Sequence, residues 1–102
     1  MTQIYILPKT GVSRETIEKV LNQAVNWYRY HERCYVVFTT SDAGKWYARL
    51  KPLVEPGGHL FICKLNTTDY YGWMPQSFWT WFQEREKNRS SDFLETTLIF
   101  TN

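Results

Sequence analysis

The sequence predicts an α+β fold in which the segments follow one another as β-α-β-β-α-β, with an aromatic helix and a last strand after them. Three observations carry this. One segment, residues 14–28, repeats its apolar side chains at helical steps. Runs at 4–7, 34–39 and 59–65 are rich in β-branched and aromatic residues. Pro and Gly cluster between them, at Pro8 to Gly11 and at Pro56-Gly57-Gly58, where the chain must turn.

Ile4, Tyr5, Ile6 and Leu7 form the first strand, which Pro8 ends because it has no N–H to give a sheet ladder. Ser13 is a good N-cap and Glu15 suits the positive end of a helix dipole. Ile17, Val20, Leu21, Ala24, Val25 and Tyr28 then make one apolar stripe, opposite Glu18, Lys19, Asn22 and Gln23. The helix is expected to give way near Asn26, since residues 27–31 favour extended chain. Glu32-Arg33 connects these to the strand at 34–39, a hairpin without the favoured Asn-Gly turn. Ser41 or Asp42 caps a second helix with Ala43, Trp46, Tyr47 and Leu50 inside, which Pro52 should end or kink. The fourth strand, 59–65, is largely apolar on both faces, which suits a position covered on both sides. Pro75 fits the first position of a third helix, from Gln76 to about Glu84, carrying Phe78, Trp79, Trp81 and Phe82. Residues 84–92 are charged and read as a connector, and 93–100 have strand propensity again.

This order is the split βαβ, ferredoxin-like arrangement: a βαββαβ sandwich with an added C-terminal aromatic helix and a final strand. It implies the sheet order 4-1-3-2 with both helices on one face. The 102 residues make one small domain, with its core in 3–83 and a connector and C-terminal strand in 84–102. Two helices cover only one face, and the other carries its own apolar residues. A homodimer is expected to bury what the third helix or last strand leaves open.

Composition excludes several classes. A hydrophobic fraction of 43% marks a globular chain, and 18% aromatic residues suits a dense core, a subunit interface or a base-stacking surface. A formal charge of +2 excludes a strongly basic surface but permits a local basic patch. No run is apolar enough to span a membrane, and the first residues do not form a signal peptide, so the expectation is cytoplasmic. Cys34 and Cys63 sit in apolar strand runs and read as buried free thiols, kept apart by an intervening strand. No Cys/His cluster has zinc spacing, and no metal or other cofactor is expected. His31 and Cys34 make no convincing nucleophilic pair, and Gly57-Gly58 lacks the lysine of a phosphate loop.

Trp27-Tyr28-Arg29-Tyr30, the strand after it, the Gly72-Trp73-Met74-Pro75 turn and the Phe78-Trp79-Thr80-Trp81 helix resemble the SinR-like proteins. These are small relatives of CRISPR-associated protein two, the dimeric ferredoxin-like subunit of the spacer-acquisition complex. The resemblance covers residues 3–83 and implies a dimeric, nucleic-acid-associated protein. It also implies an aspartate at the end of the first strand, one per subunit, to hold a metal for phosphodiester cleavage. Here that strand ends Leu7-Pro8-Lys9, and no acidic residue precedes Glu15. Asp42, Asp69 and Asp92 read as caps or turn residues, so a metal-dependent nuclease is not expected.

The site expected instead is non-catalytic. Arg29 and Arg33 on the hairpin and Lys45 and Arg49 on the second helix are candidate phosphate contacts, doubled across a dimer into a basic stripe. Tyr30, Tyr70 and Tyr71 are candidates to stack on bases. The other expectation is a protein-interaction module, such as a phage or mobile-element inhibitor that binds a host defence complex.

Overall fold

The computed structural model describes residues 1–89. In chain order the elements are β1 (Thr2–Leu7), α1 (Arg14–Leu21), β2 (Asn26–His31), β3 (Cys34–Phe38), α2 (Ala43–Val54), β4 (His59–Lys64) and α3 (Gln76–Arg89). The strands form one antiparallel sheet in the order β2-β3-β1-β4. This is an α+β protein compatible with a small ferredoxin-like fold. The chain divides into two compact units, Met1–Asn66 and a second that begins at Thr67. The expected strand at 93–100 lies outside the described residues.

The first unit holds the whole sheet with α1 and α2. Its core is built from Ile4 and Ile6 of β1, Tyr35 and Val37 of β3, Ile17 and Leu21 of α1, and Trp46, Leu50 and Val54 of α2. Ile4 and Ile6 are two apart, as are Tyr35 and Val37, and Ile4 lies opposite Tyr35, so all four share one face. The other face carries Tyr5, Leu7, Tyr28, Val36, Phe38 and Phe61. Val36 is buried and most of the rest are half-buried, but Phe61 is 62% exposed.

Both first-unit helices begin as their sequences dictate. The Ser13 hydroxyl accepts from the Thr16 amide at 3.2 Å, and Asp42 Oδ1 accepts from the Lys45 amide at 2.9 Å. Their ends differ from expectation. Helix α1 stops at Leu21, before Ala24 and Val25 join the stripe. The Val25 amide donates instead to Phe38 O at 3.0 Å, opening the hairpin ladder one residue before β2. Asn22, just past the helix, accepts the Trp27 indole N–H at 2.8 Å. Sheet pairing takes the residues that local periodicity assigned to the helix. Helix α2 runs through Pro52 to Val54. Proline falls in the last turn, where little helix remains to disrupt, and Leu50 and Val54 on either side are anchored in the core. Tyr47 is not inside as expected but 49% exposed; Val54 takes its place.

Strand β4 also departs from expectation. The departure is in its covering and not its place: β4 lies at the edge among the described residues, and His59, Phe61, Cys63 and Lys64 are exposed, so it is not covered on both faces. Cys63 is therefore an exposed thiol and Cys34 a half-buried one; both are free, on the two strands that flank β1.

In the second unit, α3 extends to Arg89, taking in residues that read as a connector. Tyr70, Phe78, Trp79 and Phe82 form an aromatic cluster, with ring centroids 4.8 Å apart for Tyr70 and Phe82 and 5.1 Å for Phe78 and Trp79.

Candidate functional site

The β2–β3 hairpin turns in two residues, Glu32 and Arg33, and among the described residues only Gly11 has positive φ. The mirror-image turns that match strand twist are therefore not used, and the hairpin absorbs the mismatch as a bulge between Arg29 and His31. The Ile6 amide donates to Arg33 O at 2.9 Å, fixing the turn against the end of β1. Pro8 and Gly11 then swing the chain back to start α1 beside it.

These three pieces enclose a solvent-open cleft of about 350 Å³. Ile6, Val12 and Ile17 give it apolar lining. Arg14, from the first turn of α1, joins Arg29 and Arg33 of the hairpin around it, with Glu15 and Glu32 among them. Tyr35 links the cleft to the core: its ring is buried and its hydroxyl donates to Glu18 Oε2 at 3.1 Å. Burial, then the charge of Glu18, pushes the Tyr35 phenol up to about 12. The arginines are loosely held. Arg14 Nε lies 3.6 Å from Glu18 Oε2, Arg33 Nη2 lies 3.8 Å from Glu32 Oε1, and Arg29 Nη1 donates to Glu32 O at 3.4 Å. Pairs of that length on exposed side chains contribute about 0–1 kcal/mol and yield readily to a better anion.

Of the four basic candidates, Arg29 and Arg33 meet in this cleft; Lys45 and Arg49 do not line it. Arg49 lies over the Trp46 ring at 4.6 Å and donates to Ser41 Oγ at 3.2 Å, so it braces the start of α2. Lys45 is exposed on the same helix. Arg14 is not among the residues singled out in the sequence. Its signal is position: the first helical residue after a turn that returns the chain to the end of β1.

The stacking candidates also separate. Tyr30 is half-buried, and burial, then the neighbouring Cys34, raises its phenol. Tyr70 stacks on Trp79 at 5.9 Å within the α3 cluster, and burial raises its phenol too. Tyr71 is 100% exposed, and Trp73, not singled out in the sequence, is 99% exposed. Among the described residues no three His, Cys, Asp or Glu side chains gather as metal ligands, and no helix is long and apolar enough to cross a membrane.

No protein-family model matches this chain, and neither a curated protein nor a solved structure matches it.

Proposed function

We propose that this chain is a non-catalytic, ferredoxin-like binding module of the SinR-like and CRISPR-associated kind. It acts as a homodimer and holds nucleic acid through phosphate contacts. The observation that carries this reading is that Arg14, Arg29 and Arg33 line one cleft, their contacts among the described residues being 3.4 to 3.8 Å long. Arginine suits the role because its planar fork matches two phosphate oxygens at once. Labelled DNA should bind more weakly as salt rises. The slope of log K against log salt should fall by about one for each phosphate contact removed. Arg29→Gln with Arg33→Gln should therefore weaken binding and flatten the slope, and Lys45→Gln should change neither. Absence of binding at low salt, or indifference to the Arg29 and Arg33 substitutions, would overturn the reading.

One observation favours the protein-interaction reading: Tyr71 and Trp73 are almost fully exposed on either side of Gly72. Tyr and Trp are the residues that most often anchor protein interfaces. In that reading the pair docks on a host defence complex. Tyr71→Ser with Trp73→Ser would then abolish capture of that complex and leave DNA binding intact.

A further inference from the structure

We propose that the Arg14, Arg29 and Arg33 cleft takes a phosphomonoester carried on a nucleoside, either the terminal phosphate of a strand or a free nucleotide. This rests on the reading of the cleft as a phosphate site and narrows it to strand ends.

Charge order favours an end over a continuous backbone. Glu15 and Glu32 share the cleft with the three guanidinium groups. A backbone laid along the cleft would bring successive phosphates past those carboxylates, and each passage is repulsive. A single terminal phosphate meets the arginines without a neighbour to be repelled. It also carries close to two negative charges at neutral pH, where an internal diester carries one. Three cations lining one cleft answer the first better than the second.

Shape favours the same ligand. A cleft of about 350 Å³ is at the small end of ligand pockets and suits one nucleotide. Of its apolar lining, Ile6 and Ile17 are buried, and Pro8 and Val12 are the half-exposed part. A terminal nucleoside can set its sugar against Pro8 and Val12 while its phosphate meets the arginines. The start of α1 adds its positive dipole end on the same side, since Arg14 is the first residue of the helix.

The cations are also within reach. Arg14 and Arg33 give up only their contacts to Glu18 and Glu32, at 3.6 and 3.8 Å, to meet a ligand.

The test is fluorescence anisotropy on the full chain. The probes are one labelled oligonucleotide sequence with a 5′-phosphate, a 3′-phosphate or hydroxyl ends, with AMP and inorganic phosphate as competitors. One phosphorylated end should bind at least about tenfold tighter than the hydroxyl-ended strand, the factor that one good charge-assisted contact supplies. AMP should compete better than inorganic phosphate. Arg14→Gln with Arg33→Gln should erase the preference without altering the circular dichroism spectrum. Equal affinity for phosphorylated and hydroxyl ends, with binding still salt-dependent, overturns this inference and leaves the nucleic-acid reading standing. If no strand binds, that reading fails, and amide shifts on titrating AMP decide the rest. Shifts confined to residues 12–17 and 29–35 keep the cleft as a free-nucleotide site, and their absence ends the proposal.

Discussion

Tyr35 spans the distance between core and cleft in one side chain. Its ring is packed in the cluster that holds Ile4, Ile6 and Leu21, and its hydroxyl is held by Glu18, which in turn faces Arg14. An unfolded tyrosine releases its proton near pH 10; here the folded one does so at about 12. Between those values the unfolded chain has lost this proton and the folded chain has kept it, so stability falls as pH rises. Tyr35's contribution is fully present below pH 10 and is gone above 12. A rise of that size corresponds to at most roughly 2–3 kcal/mol, and to less where water from the open cleft screens the hydroxyl. Urea unfolding at intervals from about pH 9 to about 11.5 should therefore show the native chain losing stability faster than Tyr35→Phe, which has no phenol to titrate. Parallel curves would mean that the hydroxyl is not held as the geometry requires. Below about pH 9 the same substitution should cost about 1 kcal/mol, the net worth of one hydrogen bond. At this scale the sequence was legible where a residue's role is local. Asp42 and Ser13 cap the helices they precede. It was opaque where a role depends on which nearby side chains a long cation folds onto: Arg49 reads as a solvent-facing cation until Trp46 and Ser41 are seen around it.

The same division holds for the elements. Strand β1 alternates buried and half-buried residues, because side-chain direction in a strand is decided residue by residue, whereas β3 is buried at Tyr35, Val36 and Val37 alike. The end of α1 was not legible, because the Val25 amide is claimed by Phe38, on the far strand of the hairpin. The cleft was half legible: Arg29 and Arg33 share a hairpin, whereas Arg14 reaches them only through the turn after β1. Gly58 shows how closely these junctions fit. It sits between α2 and β4, and a Cβ built on it would collide with Leu7 O and stand 3.0 Å from Lys9 N. Both are backbone atoms of the chain leaving β1, which cannot rotate aside as a side chain can. Gly57, one residue earlier, has nothing within 4 Å of the same position. Gly58→Ala should cost about 2 kcal/mol or more, since the β1–β4 junction must move to admit the methyl group. Gly57→Ala should stay within about 0.5 kcal/mol. Chemical denaturation of the pair decides it, and equal midpoints would mean that the junction has room for the extra carbon.

For the whole molecule the open question is what meets the outer side of β4. This strand is an edge among the described residues, and it presents Phe61 62% exposed, with Cys63 beside it on the same face. An edge strand that presents a large exposed apolar residue invites a second chain. A lone exposed phenylalanine is ordinary on a monomer, so Phe61 gains its meaning from the edge it sits on. In the proposed dimer each β4 would meet its counterpart, with Phe61 of each subunit in a matching place. Such a pair would carry two Arg14, Arg29 and Arg33 clefts, one for each phosphorylated end of a strand or duplex. Sedimentation of the full chain should give a dimer, and Phe61→Asp should shift it to monomer with its circular dichroism unchanged, because the residue lies outside the first unit's core. The monomer should still bind a single phosphorylated end, since all three arginines come from one chain, but should lose the gain that simultaneous binding at two sites supplies. A native chain that sediments as a monomer at every concentration removes the dimer and that gain together, and leaves the single cleft as the unit of binding.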